Sequence, residues 1–350
     1  MINIQKKPWQ ILAVDVGAGT QDILLFDSNK EPGNNLKLVI PSNTQILARK
    51  ISKIDTDIFL TGGIMGGGPV SMAISNHLKK GFTVSMTESS ARTVRDDLDE
   101  VREDGVEIVD EADFTAEGVT TLETRDVDLD FIFQTISMAD EPMPDFIGVA
   151  VQDHGFEKNK SDRVFRFEMI KKTLERGASL EDFLFNEPPE YYTRMNSVFE
   201  GVKEDFDGEV VVIDSKFAAI AGALHNVDER PCICVDVGNG HTMIALIDEG
   251  GIAGVLEHHT GCLTKNKLVD YIEKLANGKV SNSDVFNDDG HGCYIKEAPG
   301  LKSIKRVLAT GPNRKMLLNT KLDIDFANPF GDVMMTGPVG IVDLIKKKYG

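Results

Sequence analysis

Cysteine is scarce in this chain, with Cys232, Cys234, Cys262 and Cys293 the only four in 350 residues. That is too few for a disulfide scaffold of this length. Long apolar runs are missing too: no stretch reaches the roughly 18 residues of a membrane-spanning helix. The segment Met1 to Trp9 carries two lysines and no apolar core of a secretory signal. Cationic side chains are in deficit, 38 Lys and Arg against 56 Asp and Glu, for a net charge of −18. A surface of that sign repels nucleic-acid phosphates and anionic lipid. Neither nucleic acid nor a membrane is therefore expected as a partner, and the cytoplasm is the expected location.

What the chain does have is apolar material for sizeable cores, 41% of its residues, and a length that suits two domains of about 150 residues each. It also has an internal repeat. Residues 11–27 read ILAVDVGAGTQDILLFD and residues 232–248 read CICVDVGNGHTMIALID. Aligned without a gap, they agree at Val14/Val235, Asp15/Asp236, Val16/Val237, Gly17/Gly238, Gly19/Gly240, Ile23/Ile244, Leu25/Leu246 and Asp27/Asp248. The spacing far exceeds that of solenoid repeats and indicates a duplicated domain. In each copy an apolar run ends in an aspartate, a glycine-rich turn follows, and a second apolar run leads away, which predicts a β-hairpin. Glycines permit positive φ and let backbone N–H groups approach an anion closely. An aspartate where strand meets turn suits a hydrated Mg²⁺ beside phosphate.

The surroundings of the hairpins repeat as well. The first is followed by a predicted strand at 36–40, a helix at 44–53, a strand at 57–60, a helix from Pro69 to Lys80 and a strand at 82–86. The second is followed by a strand around 254–257, a helix at 264–276, a strand at 304–309 and a short helix from Pro312. Between the halves, a helix is expected at 91–103, strands at 129–136 and 146–152, and helices at 165–176 and 191–206. The expected domains are 1–214, with an insertion at about 89–209, then 215–330, then a C-terminal helix at 331–350 packing back on the first domain.

This order of motifs resembles the superfamily of actin, sugar kinases and heat-shock chaperone ATPases. The resemblance implies an α/β fold of duplicated ribonuclease-H-like (actin-like ATPase) domains, with mixed sheets, flanking helices and a nucleotide cleft between the domains. The first phosphate loop would be Asp15-Val16-Gly17-Ala18-Gly19-Thr20 and the second Asp236-Val237-Gly238-Asn239-Gly240. The connecting helices would be 215–224 and 336–342, the first with small residues that permit close approach. The adenosine motif would be 307–312, ending in Thr310-Gly311-Pro312. His241 follows the second loop, where Thr, Ser or Gly is more usual. Nearer still, Gly62 to Pro69, Gln152-Asp153-His154-Gly155, Glu257-His258-His259-Thr260 and Asp289-Gly290-His291-Gly292 resemble a largely prokaryotic family that carries the label of pyruvate formate-lyase activating enzyme. A radical activator of that kind holds an iron–sulfur cluster on C-x₃-C-x₂-C, a spacing this chain lacks, so that chemistry is not expected.

The resemblance implies ATP and Mg²⁺ as cofactors. Gly17, Gly19, Thr20, Gly238, Asn239, Gly240, His241, Thr310, Gly311 and Pro312 would hold the nucleotide, and Asp15 and Asp236 would hold the cation through water. Asp153, delivered by a buried strand to its C-terminal end, is the candidate base; its motif resembles a strand end of xylulose-type sugar kinases. His154, His241, His258, His259 and His291 sit in Gly-, Thr- or acid-flanked turns, and besides the nucleotide role of His241 they are candidate transition-metal ligands. Three functions stay open: an ATPase or phosphotransferase acting on a small-molecule acceptor, a nucleotide-gated activase or assembly factor for a metallo- or radical-enzyme partner, and a metal-dependent protein that does not use ATP. The acceptor, the partner and the oligomeric state are not legible.

Overall fold

The computed structural model describes residues 8–114 and 117–350; the N-terminal segment read above for a secretory signal lies, up to Lys7, outside the described residues. The strands run in chain order β1 (Gln10–Val16), β2 (Thr20–Asp27), β3 (Leu36–Pro41), β4 (Ile58–Gly62), β5 (Val84–Met86), β6 (Glu107–Ile108), β7 (Thr120–Thr124), β8 (Phe146–Val151), β9 (Leu184–Phe185), β10 (Glu209–Asp214), β11 (Cys232–Val237), β12 (His241–Asp248), β13 (Gly251–His259), β14 (Gly290–Ile295), β15 (Arg306–Thr310) and β16 (Asp325–Phe326).

Two six-stranded sheets carry the duplication, ordered β3-β2-β1-β8-β10-β9 and β14-β13-β12-β11-β15-β16. In the first, β2 runs antiparallel to β1 and β3, while β8 and β10 run parallel to β1. In the second, β12 runs antiparallel to β11 and β13, while β15 and β16 continue in parallel. Strand for strand this is one five-stranded ribonuclease-H-like order used twice, with β9 and β14 added at opposite edges. The fold class implied by the repeat is the fold observed.

The two hairpins become central strands because they are apolar on both faces. Successive residues of a strand point to opposite sides. Leu12, Val14 and Val16 enter a core with Ile147, Val149 and Ile132. Ile11 and Ala13 enter another with Phe217, Ile341 and Cys234, which spans the space between the two sheets. A strand covered on both faces reads as a near-continuous apolar run. No helix among the described residues is long and apolar enough to cross a membrane.

Two expectations are corrected. The segment 129–136, expected as a strand, is the helix Leu129–Met138. Asp128 accepts a hydrogen bond from Phe131 N at 3.2 Å, and Leu129, Ile132 and Ile136 form one buried stripe while Phe131 stays exposed. A capped start and a helical period outweigh β-branched and aromatic composition. The expected helix 91–103 is two short ones, Glu88–Ala91 and Leu98–Glu103. The strand after the first hairpin unit does not continue the first sheet. β4 joins β5, β6 and β7 in a separate four-stranded parallel sheet, with its own core around Leu60, Val70 and Met86. Parallel neighbours need a crossover; the crossover from β3 to β8 carries this whole sheet.

The helices Ser215–Ala223 and Thr336–Tyr349 lie between the two main sheets and cross at glycine. A Cβ on Gly222 would stand 1.7 Å from the Thr336 carbonyl oxygen, and one on Gly340 2.0 Å from that of Ala218. Backbone meets backbone there, with no flexible side chain to yield. Gly222→Ala and Gly340→Ala are expected to lose about 2 kcal/mol or more by overpacking, although alanine is the better helix former by about 1 kcal/mol. Gly201→Ala, in open space on the helix Thr193–Asp205, should gain up to about 1 kcal/mol. Denaturant unfolding of the three variants checks the contrast.

Candidate functional site

A cleft of about 920 Å³ opens between the two main sheets. Asp15, Gly17, Thr20, Asp236, Gly238, Asn239, Gly240, His241, Thr310, Gly311 and Pro312 all line it. So do Asp153, His154 and the glycine-rich run from Ile64 to Pro69. Gly19, expected among the nucleotide contacts, is not among the lining residues and abuts the Asn239 side chain of the opposite turn.

The two turns are built alike. Gly17 N donates to Thr20 O at 2.9 Å, and Gly238 N donates to His241 O at 3.0 Å. The residue after the third strand then holds each turn from behind: Ser42 N donates to Gly19 O and Thr260 N to Gly240 O. Among the described residues, the amides of Ala18, Gly19, Asn239 and Gly240 donate to no protein acceptor. Such outward N–H groups form anion-binding concavities. None of these turn glycines has positive φ; their small size matters instead. A Cβ on Gly238 would stand 2.4 Å from Lys216 Nζ, and one on Gly19 would stand 3.1 Å from Asn239 Nδ2 of the opposite turn. Gly311 has φ +88°, and a Cβ there would meet Asp236 Oδ1 at 2.5 Å.

The paired aspartates are not equivalent. Asp236 Oδ2 accepts from Lys216 Nζ at 2.6 Å, and that buried ammonium also donates to His241 O. Asp15 has no such partner. Its Oδ1 is sealed from solvent without a hydrogen bond, and Gly337 leaves no room beside Oδ2, where a Cβ would stand 1.9 Å away. Across the hairpin, Asp22 is the register partner of Asp15, and its Oδ1 is buried and unpartnered as well. Burial, with the neighbouring Asp236 and Asp214 charges, pushes the Asp15 carboxyl up to about 7 despite Ser215 and Lys216. Burial and the Asp15 charge push Asp22 up to about 8. Beside the first turn Asp15 and Asp22 each keep one buried oxygen without a hydrogen bond, whereas Asp236 of the expected Asp15–Asp236 pair is ion-paired to Lys216.

Asp153 is placed as a structural clamp rather than a free base. Its Oδ1 accepts from Gly155 N at 2.7 Å and its Oδ2 from Met195 N at 2.9 Å. Burial lifts it to about 6 against those two bonds. Thr310 is likewise engaged, its hydroxyl donating to Thr336 Oγ1 at 2.9 Å and tying the end of β15 to the helix Thr336–Tyr349.

Beside the cleft lies a fully buried charge node. Arg166 contacts Asp214 at 2.7 Å and Glu257 at 2.7 Å, and donates to Asp153 O. It thereby joins the ends of β10 and β13, one from each main sheet. Burial alone would raise Glu257, but Arg166 holds it far below the usual carboxylate range. Above this node four imidazoles meet. The rings of His154, His241, His259 and His291 lie with neighbouring centroids 4.6 to 5.5 Å apart. His258, expected among them, is excluded: strand alternation turns it to the other face of β13, where Nε2 meets Asp288 at 3.3 Å. His241, assigned from sequence to the nucleotide as well as to these turns, stands among them.

Residues 65–316 match one family model along most of the chain. The chain belongs to the family described as "Putative pyruvate format-lyase activating enzyme (DUF1786)". Its four cysteines do not gather: Cys232 and Cys234 are buried in β11, Cys293 is buried in β14, and Cys262 is exposed. No curated protein matches the chain in sequence. Among solved structures, the ethanolamine utilization protein EutJ from Carboxydothermus hydrogenoformans is 10% identical, with 97% of this chain and 91% of that one covered and a TM-score of 0.35. A protein with actin-like ATPase fold and unknown function from Bacteroides thetaiotaomicron is 10% identical over 96% and 98%, with a TM-score of 0.34. The activator of the 2-hydroxyisocaproyl-CoA dehydratase from Clostridium difficile, with bound ADPNP, is 10% identical over 97% of both chains, with a TM-score of 0.32. The fold of this DUF1786 member rests on its own sheet order rather than on these likenesses.

Sequence reading missed Asp22, Lys216 and Arg166. The register of the first hairpin would have placed Asp22 opposite Asp15, and a lone lysine among small apolar residues marked Lys216; nothing local marked Arg166. The carboxylate pair predicts a pH signature. Raised folded-state values mean that the folded protein binds more protons than the unfolded chain, so ionisation destabilises it as pH rises from about 4 to about 8. In chelator-treated protein, Asp22→Asn is expected to gain stability relative to wild type progressively across that window. Melting curves at pH 5, 6.5 and 8 with a constant difference would overturn this.

Proposed function

We propose that the cleft binds ATP with Mg²⁺, its phosphates between the two turns and its adenosine toward Thr310-Gly311-Pro312. The observation that carries this reading is the doubled turn: two hairpins of one construction present free backbone amides to one cavity, and a carboxylate pair without a counter-ion lies beside them. Asp15 and Asp22 would hold the cation, which would supply charge neutralisation for the phosphates. Lys216 keeps Asp236 neutralised, so the second turn presents amides rather than a bare carboxylate to the anion. Phosphoryl chemistry asks mainly for positioning and charge stabilisation, which opposed turns can provide.

Between hydrolysis and transfer, the clamped state of Asp153 favours slow hydrolysis. Both of its oxygens hold backbone amides, so it is poorly placed to take a proton from an acceptor. Slow hydrolysis coupled to opening and closing of the two main sheets suits a nucleotide-gated activase or assembly factor acting on a protein partner. This is the reading we favour over a small-molecule kinase.

Thermal unfolding with and without Mg-ATP tests the nucleotide site. Ligand at about one hundred times its dissociation constant should add about 2.7 kcal/mol. The gain is expected in wild type and lost in Asp15→Asn, which preserves shape. In Asp236→Ala both the gain and the basal stability should fall, because Lys216 is left buried and unpaired. No shift with any nucleoside triphosphate in the wild type would overturn the proposal.

A further inference from the structure

We propose that His154, His241 and His291 form a binding site for one first-row divalent transition ion, set in the wall of the cleft and independent of the nucleotide. Their candidate ligand atoms all lie within 4.8 Å of one another. Bonds of about 2.1 Å in a tetrahedral arrangement would bring the nitrogens to about 3.4 Å, a contraction that side-chain rotation supplies. His154 follows β8 of the first sheet, while His241 and His291 stand on β12 and β14 of the second. The site therefore bridges the two halves of the molecule.

Three observations point to a ligand rather than to histidines that merely pack. First, His291 is 1% exposed, and neither of its ring nitrogens has a hydrogen-bond partner. Buried polar atoms are nearly always paired, and a specific exception calls for a missing group. Second, the tautomer of His241 is set for coordination. Its Nδ1 lies 2.8 Å from Gln152 Oε1, and the amide of Gln152 is oriented by donating from Nε2 to Glu257 Oε1 at 3.2 Å. Nδ1 must then carry the proton, which leaves the Nε2 lone pair free. An outer hydrogen bond that fixes ring orientation and raises basicity is the usual support of a metal-bound histidine. Third, Arg166 engages Glu257 and Asp214 below the rings, so neither carboxylate hydrogen-bonds a ring nitrogen of the three histidines.

Imidazole nitrogens suit Zn, Fe, Ni and Cu, whereas Mg²⁺ prefers oxygen. The site is thus chemically distinct from the Asp15–Asp22 pair. His154 and His241 line the cleft and His291 stands behind them, so three protein ligands leave the cleft side open. His259 packs against His241 and His291 and closes the opposite flank.

The test uses the full chain, stripped with chelator and titrated with Co²⁺ without nucleotide. One equivalent should bind, with visible d–d absorption of four- or five-coordinate intensity, and Zn²⁺ should displace it. His291→Ala and His241→Ala should each weaken binding at least 100-fold, and Gln152→Leu about 10- to 100-fold. His258→Ala and Asp15→Asn should leave affinity and spectrum unchanged. Should His291→Ala fail to fold by circular dichroism, His154→Ala at the half-buried cleft wall carries the same test. Binding that is absent in the wild type, or equal in wild type and folded His241→Ala or His154→Ala, would overturn the proposal. Loss of the Co²⁺ spectrum in Asp15→Asn would place the ion on the carboxylates instead.

Discussion

The rest of the structure depends on two helices crossing without side chains between them. Gly222 and Gly340 allow Ser215–Ala223 and Thr336–Tyr349 to meet backbone against backbone, and both helices are buried along most of their length. That contact sets the separation of the two main sheets and hence the opening of the cleft. Gly337, on the same helix, leaves the space that Asp15 occupies. A bulkier residue at any of these positions would alter the site as much as the core, because interiors packed to crystal-like density transmit strain.

The cleft then has an electrostatic problem. The chain as a whole is strongly acidic, and its cleft is lined by Asp15, Asp22, Asp153 and Asp236, with Asp214 beside it. Each is handled differently. Asp236 is paired with Lys216, Asp214 with Arg166, and Asp153 holds two backbone amides. Only Asp15 and Asp22 keep buried oxygens without a partner. Buried charge without compensation is costly, and the group neutralises by taking a proton or waits for a cation. The raised carboxyls express the first alternative, and a nucleotide-bound cation would supply the second. An acidic cleft and a polyanionic ligand are compatible only through such a mediator.

A second charge node, Arg166, joins the two halves from within. Asp214 and Glu257 belong to different sheets, so one guanidinium fastens both. Removing one partner of a buried pair typically costs 3–5 kcal/mol by leaving the other uncompensated. The histidine cluster rests on this node through Gln152. Because His241 opens β12 directly after the second turn, the same few residues that present amides to the cleft also place an imidazole in its wall. A change at either place must pass through that turn.

By itself the sequence determined the duplicated hairpins, because these rest on local patterns, continuous apolar runs joined by glycine turns, and the resemblance that the order of its motifs carries implied the two connecting helices and the fold class. That resemblance also implied that both turns and the 310–312 segment border one cleft, as they do. Tertiary structure decided which aspartate is free, because that depends on Lys216 reaching Asp236 and on Asp22 lying across from Asp15. It decided that Leu129–Met138 is a helix and that Ile58–Gly62 starts a separate sheet, since these follow from packing stripes and crossover paths rather than composition. It decided which histidines meet. Residues 258 and 259 are neighbours in the chain, yet strand alternation sends one to Asp288 and the other to the cluster, while His154 arrives from the other half of the molecule. Distances between segments far apart in sequence are set by the whole packed fold, and no local pattern encodes them.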